Sequence, residues 1–334
     1  MATVGNTAFT LSDLRKRLGA DGKIDYIIEV LEQSNPIMEH IVWQEGNLPT
    51  GNLTTLRTNY PHPELRRINR GVGNQKSNTR QVTDTCCIME ARCEVDVRLL
   101  QMAADAQALR RSEDAAFIEG FAQTLAKYMF YGDTERHPDE FNGLGIRFNT
   151  FGGEKGTFGY QTINAGGSTA NKQTSAYLVD WGERAVAGIY PKGSKAGLDH
   201  KDLGETDAID PDGRKYRAVS SLFTWDAGLA VMDVRKAAAI RNIDMNTAVA
   251  DWTAASRRKV IDNIILAKNR IKNPKAPKLY VSDNLYNTIE LFLTDKTNVY
   301  VTRQELMGQM PKLYVSGMEV CKCDALMETE PVIS

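Results

Sequence analysis

No apolar run in this chain approaches the roughly 18 to 20 residues that a membrane-spanning helix requires, which removes integral membrane proteins of the helical kind. Residues 1–10 lack the basic and apolar regions of a secretory signal, so export by that route is not expected. Cysteine is scarce. The five residues Cys86, Cys87, Cys93, Cys321 and Cys323 form neither a disulfide framework nor CxxC pairs, which points to a reducing compartment. No excess of one charge exists either: Lys+Arg 41 against Asp+Glu 42 gives a net charge of -1, so no global field gathers nucleic acid or anionic lipid. Histidine is equally thin. His40, His62, His137 and His200 are dispersed, with no GxSxG serine, so a hydrolytic triad has no support.

What remains is an ordinary folding composition. With 334 residues, 42% hydrophobic and 25% charged, the chain can bury one large core or two medium ones. Residues 12–34 read as helical, with Ser12 as N-cap and Ile24, Ile27, Ile28 and Leu31 at helical spacing. Asn35-Pro36 stops that helix, because a residue before proline avoids the helical region. Two extended stretches follow, Leu53 to Asn59 and Gln81 to Val97, joined by a polar, glycine-bearing tract. Together they predict a long projecting β-hairpin over 46–97.

The hairpin is lopsided in charge. Residues 57–80 hold Arg57, Arg66, Arg67, Arg70, Lys76 and Arg80 against the single acid Glu64. The opposite bias falls in 199–213, where Asp199, Asp202, Glu205, Asp207, Asp210 and Asp212 face only Lys201; this stretch reads as an acidic loop ending in the turn Asp210-Pro211-Asp212-Gly213.

Residues 97–131 give the strongest helical signal. Leu99, Met102, Ala103, Ala106 and Leu109 lead into Phe117, Phe121, Leu125 and Tyr128, with no proline and one glycine, Gly120. A single helix of ~50 Å is expected, at about 1.5 Å per residue. Gly132-Asp133 ends it. Strands are expected at 176–179, 185–190, 216–225 and 229–240, then a helix over 252–272 closed by Pro274 and Pro277. The rest alternates: strand 278–282, helix 283–294 with Asp283 as N-cap, and strands near 298–302, 312–316 and 318–323.

Candidate chemical motifs fail on inspection. Gly71 to Ser77 ends in Lys-Ser like a phosphate loop, but Gln75 stands where glycine is needed. Asp210, Asp212 and Gly213 resemble a calcium loop whose first and last ligand positions would be Ala208 and Val219. Gly152, Gly153, Gly156 and Gly159 lack dinucleotide spacing, and the sequon at Asn52 needs an export signal to matter. The basic stretch 257–275 has no interleaved aromatics for stacking bases, so it reads as a solvated helix face. Adjacent acids such as Glu113-Asp114 and Asp139-Glu140 read as surface. Cys321 and Cys323 read as packing thiols. No catalytic, cofactor-binding or metal residue is assigned.

The run Arg111-Ser112-Glu113-Asp114-Ala115-Ala116-Phe117-Ile118-Glu119-Gly120, then Tyr131-Gly132-Asp133 and Phe141-Asn142-Gly143-Leu144, resembles the major capsid proteins of tailed double-stranded DNA bacteriophages. Ser175-Ala176-Tyr177-Leu178-Val179-Asp180-Trp181-Gly182 with Ile189-Tyr190-Pro191-Lys192-Gly193 is similar to a capsid subfamily related to short-tailed phages. Leu313 to Met318 and Asp324 to Leu326 are similar to that fold's closing strands.

The resemblance implies an α+β, HK97-like capsid fold. Its parts would be an N-terminal arm (1–45), an extended hairpin (46–97) lying over a neighbouring subunit, a peripheral domain with a spine helix (98–174), a mainly axial domain (175–274) and a return to the peripheral domain (275–334). It further implies a structural protein, not an enzyme. Self-assembly into hexamers and pentamers would form an icosahedral head shell in the virion, enclosing double-stranded DNA without sequence-specific binding. Expected partners are other copies, a separate scaffolding protein, a portal protein and, as an optional one, a decoration or cement protein, with no membrane. Two rivals stand beside it: an encapsulin-like compartment shell and an unrecognised α/β enzyme.

Overall fold

The computed structural model describes residues 13, 33–103, 105–210, 212–245, 252–294, 300–304 and 311–334. Apart from residues 13, 33 and 34, the helix expected over 12–34 falls outside those residues, and most of the N-terminal arm with it.

Two sheets organise the described chain. One has six strands: β1 (Trp43–Glu45), β2 (Gly51–Asn59), β3 (Asn78–Asp96), β6 (Val186–Tyr190), β7 (Asp199–Ile209) and β8 (Lys215–Val231). Its order is β1-β6-β8-β3-β2, with β7 paired to β8 beside that path. The other has seven: β4 (Thr162–Asn164), β5 (Gln173–Val179), β9 (Ala237–Asp244), β10 (Lys278–Val281), β11 (Val301–Gln304), β12 (Lys312–Val315) and β13 (Met318–Lys322), in the order β11-β12-β13-β10-β5-β9-β4.

The seven-stranded sheet is covered on both faces, and its sequence says why. Successive strand residues point to opposite sides. Tyr177, Val179, Ala237, Ala239 and Tyr280 enter one core with Phe130 and Phe141. Their neighbours Ala176, Leu178, Ala238, Ile240 and Leu279 enter a second, under the helices Ala254–Arg270 and Asp283–Leu291. Thr253 starts the first of those helices, its hydroxyl accepting the Ser256 amide at 3.2 Å. The second starts at Ser282 rather than Asp283, whose carboxylate instead pairs with Lys322 at 2.7 Å.

The long helix is shorter than expected. A first piece, Val97–Met102, ends where Ala103 turns extended, and the main helix runs Ala106–Tyr131 over 26 residues. That is about 39 Å at 1.5 Å per residue. Asp105 makes the break, because its carboxylate accepts the Ala108 amide at 2.9 Å as an N-cap. Phe121 then packs beside Phe223 of β8, and Phe117 stacks on the same ring at 5.5 Å between centroids.

Two further expectations change. The acidic stretch 199–213 is the strand β7 followed by a turn, since β8 pairs with it from Ile209↔Lys215 to Asp199↔Thr224. The strands expected at 216–225 and 229–240 are one long strand to Val231, a short 3-10 turn (Val234–Lys236), and then β9. Strand pairing joins segments far apart in sequence: β10 hydrogen-bonds to β5 and β13, while β6 to β8 belong to the hairpin's sheet.

A buried polar cluster joins the long helix to the seven-stranded sheet. Arg241 lies 3.3 Å from Glu330 and donates to the Tyr177 hydroxyl at 2.5 Å and the Gly145 carbonyl at 3.2 Å. Tyr131, the last helical residue, donates to Glu330 at 2.6 Å, and the Ser175 hydroxyl donates to the same carboxylate. Such buried charges persist only when paired and hydrogen-bonded. The Tyr131 and Tyr177 hydroxyls are held far above the ordinary phenol range, chiefly by burial.

Candidate assembly surfaces

The hairpin's root is fixed from inside. β2 and β3 pair in antiparallel register from Gly51↔Thr85 to Arg57↔Thr79. At the inner end a Cβ on Gly51 would sit 2.0 Å from the Asp84 carbonyl oxygen, so only glycine permits this close crossing, at a φ of +154°. Asp84 is 2% exposed and meets Arg147, 10% exposed, at 2.8 Å. Arg147 also donates to the carbonyls of Leu229 at 2.9 Å and Asn142 at 3.1 Å. One guanidinium thus ties the hairpin, β8 and the exit turn of the long helix together.

That exit turn is the Gly132…Phe141-Asn142-Gly143-Leu144 pattern noticed in the sequence. The Gly143 amide donates to the Gly132 carbonyl at 2.9 Å, and a Cβ on Gly132 would lie 2.2 Å from the Phe141 oxygen. Two glycines let the backbones touch, and the following helical turn, Leu144–Arg147, delivers Arg147 to the root.

The tip has no such support. Burial fades along β2, and nearly all of 60–77 is exposed. Leu65 is fully exposed and Ile68 is 91% exposed, while Val72 and Tyr60 are also open to solvent. Contacts there stay local: Arg66 donates to the Arg70 carbonyl at 3.0 Å, and Arg57 lies over the Tyr60 ring at 5.7 Å. The charge bias was legible in sequence. The two bare aliphatic side chains within it were not singled out.

β7 carries the opposite charge, but its own chain answers much of it. Arg217 reaches Glu205 at 3.1 Å and Asp207 at 3.4 Å, and Arg110 of the long helix meets Asp202 at 3.0 Å. The Arg110 hydrogen bond and the Gly204 amide hold Asp202 below the usual carboxylate range. Lys195 lies 3.6 Å from Asp199.

A groove of about 730 Å³ runs between β3 and the long helix. Its walls are Cys87 to Ala91 on one side and Ala116 to Tyr128 on the other, with His137, Asp139 and Glu140 closing one end. Three carboxylates (Glu90, Asp139 and Glu140) line it, and no lysine or arginine does.

The other candidates are scattered. The Gly71 to Ser77 tract is exposed coil in the tip, and Asn52 is buried with its amide on Thr54. His40 meets the Tyr280 hydroxyl at 3.0 Å, and burial together with Lys278 lowers its pKa. His200 stacks on Phe223 at 4.7 Å. From the basic stretch, Lys268 bonds to Ser316 and Arg270 to the carbonyls of Tyr160 and Thr162, so those two charges serve the fold. The five cysteines are free thiols. Burial pushes Cys86, Cys321 and Cys323 up to about 12 and Cys87 to about 11, so they stay protonated at neutral pH. Among the described residues no group of three His, Cys, Asp or Glu is placed to hold a metal.

A family model described as "Major capsid protein GP7" matches residues 19–334. A chain of bacteriophage Epsilon15 superposes with a TM-score of 0.75 at 25% identity, covering 100% of this chain and 99% of that one. The capsid of bacteriophage JBD30 superposes at 0.50 with 10% identity, over 90% of this chain and 95% of its own, a likeness of fold. An encapsulin of Synechococcus elongatus gives 0.42 at 13% identity over 72% of this chain and 98% of its own, too loose to argue from. No curated protein matches the sequence.

Proposed function

This chain belongs to the major capsid protein GP7 family, and on that premise we propose how its parts build a phage head. The family is structural rather than enzymatic, and the chain is a head-shell subunit with the HK97-like fold that self-assembles into capsomers. In our reading the copies form rings of six and five, since heterologous contacts that close give cyclic capsomers. The hairpin over 46–97 reaches across to a neighbouring copy. Residues 98–174 form the peripheral domain around the long helix, 175–274 lie mainly in the axial domain, and 275–334 return towards the periphery.

One observation carries this reading: a hairpin rigidly anchored at its root presents a basic, aliphatic tip that its own chain leaves uncovered. An isolated hairpin gains too little burial to justify such a projection. A second surface must complete it. Long-range attraction between basic tips and acidic faces speeds encounter and fixes register. A net charge of -1 keeps mutual repulsion among many copies small.

The same proposal includes a separate scaffolding protein, a portal protein, a decoration protein as an optional partner, and double-stranded DNA held without sequence-specific contact. The test is expression with and without the genomic neighbours, followed by electron microscopy and measurement of nucleic acid in the particles. Closed shells containing DNA only when the neighbours are present support the reading. Uniform closed shells that enclose protein cargo and never DNA would favour a compartment instead.

A further inference from the structure

Residues 324–334 contain no helix and a single strand-like bridge, Glu330 with Gln173. A segment without a ladder must find partners for its backbone one at a time. It finds them on elements far earlier in the chain. The Asp324 amide donates to the Ser34 carbonyl at 3.1 Å, and the Ala325 amide to Asn35 Oδ1 at 3.0 Å. The Met327 amide donates to the Tyr131 hydroxyl at 2.9 Å, at the end of the long helix. The Glu330 amide donates to the Gln173 carbonyl at 2.9 Å. Asn242 of β9 grips Ile333 with both ends of its side-chain amide, accepting at 2.9 Å and donating at 2.8 Å, much as a neighbouring strand would.

Two features decide how such a strap behaves. Little apolar surface holds it: Ala325 and Leu326 are buried, but Met327 and Val332 are exposed. Few apolar contacts and bonds made mostly through side chains place a segment at the low-stability end of a fold. Its one deep anchor is Glu330, 2% exposed, which meets Tyr131, Ser175 and Arg241 at once. Leaving a buried charge without its partners is costly, so this carboxylate is either seated or fully withdrawn. The body tolerates the withdrawal. β5 keeps its pairings with β9 and β10, and Arg241 keeps the Tyr177 hydroxyl and the Gly145 carbonyl.

We propose that residues 324–333 are a strap that opens and closes as one unit on an otherwise folded subunit, with Glu330 as its bolt. Closure acts on two places outside the strap. It pins Ser34, whose amide donates to Asp324 Oδ2 at 2.8 Å, and so fixes the direction in which the chain enters the body. It also holds the last residue of the long helix, since the Tyr131 hydroxyl accepts from Met327 and donates to Glu330. Opening releases both together. Anything that bound the open strap in preference to the closed one would therefore loosen these two sites from a distance. The device belongs to the single subunit and does not depend on the shell reading.

The test is hydrogen exchange on the unassembled full-length protein at several low guanidinium concentrations, read by mass spectrometry with fragmentation to single amides. The amides of Ala325, Met327, Glu330 and Ile333 should share one level of protection, roughly a hundredfold below that of Tyr177 and Leu178 within β5. Their exchange should depend only weakly on denaturant, because a small opening exposes little surface. Strap amides that match β5 in both protection and denaturant slope would make the segment an integral part of the core and overturn the proposal. Four unrelated protection levels would show fraying residue by residue, which overturns it too. Asn242→Gly supplies a second reading. Asn242 sits at a φ of +58°, which glycine adopts freely, so the variant removes the grip on Ile333 without straining the backbone. All four strap amides should then exchange roughly tenfold faster together, as the loss of one or two hydrogen bonds predicts. Acceleration confined to Ile333 would defeat the single unit.

Discussion

The two ends of one hairpin obey different rules. At its root Asp84 and Arg147 are almost completely buried, Gly51 permits a crossing no other residue tolerates, and four backbone segments converge. At its tip every large side chain lies in water, and the hydrogen bonds stay within the tip itself, Arg66 to Arg70 and Gln75 to Glu64. The root's residues are chosen by the fold. The tip's are chosen by something outside the subunit. Changes at the root should therefore appear as lost stability, and changes at the tip as lost assembly by a subunit of normal stability.

Four experiments sharpen or break that division. Arg147→Ala strands the buried Asp84 carboxylate, and removing one member of a buried pair costs about 3 to 5 kcal/mol. Denaturant unfolding should show that loss, or the protein should fail to accumulate; a variant of wild-type stability would mean that the root is not the anchor. Reversing Arg66, Arg67 and Arg70 to Glu should abolish shell formation at low salt while moving the unfolding midpoint by less than about 0.5 kcal/mol, as surface changes do. Sedimentation and calorimetry together check it.

Gly120→Ala should stabilise the subunit by up to about 1 kcal/mol through helix propensity, since a Cβ there meets nothing within 4 Å, and denaturant unfolding should show a raised midpoint. The smallest effect is at His40, which belongs with the root as an internal contact. Burial and Lys278 favour its neutral form, so the unfolded chain binds more protons near the ordinary histidine range. Stability is therefore complete above about pH 6.5, the ordinary histidine value, and declines as the pH falls through the lowered folded value. His40→Gln keeps an acceptor for the Tyr280 hydroxyl and should flatten part of that decline in thermal melts at pH 7.5 and 5.5.

Local features were legible in the sequence. The long helix followed from its apolar spacing, its exit from Gly132 and Gly143, and the hairpin from extended arms around a glycine-bearing tract. Features set by distant partners were not. β7 reads as a loop because acids are poor strand formers, and only its eleven-residue run along β8 makes it a strand. Asp105 hides within a helical pattern until its capping bond is seen. Arg147 and Asp84 meet because the exit turn and β3 are brought together in space, which no spacing rule encodes. β10, beyond residue 274, hydrogen-bonds to β5 some hundred residues earlier, a pairing that no local pattern encodes. As for the tip, its charge was visible at once. Exposure of Leu65 and Ile68 required the fold.

The most direct measurement is sedimentation velocity on wild type and on the Arg66, Arg67, Arg70→Glu triple variant, side by side with their melting temperatures. The account predicts capsomers or shells for wild type and a lone, equally stable subunit for the variant. A triple variant that assembles as readily as wild type at both low and high salt would show that the tip does not join the subunits.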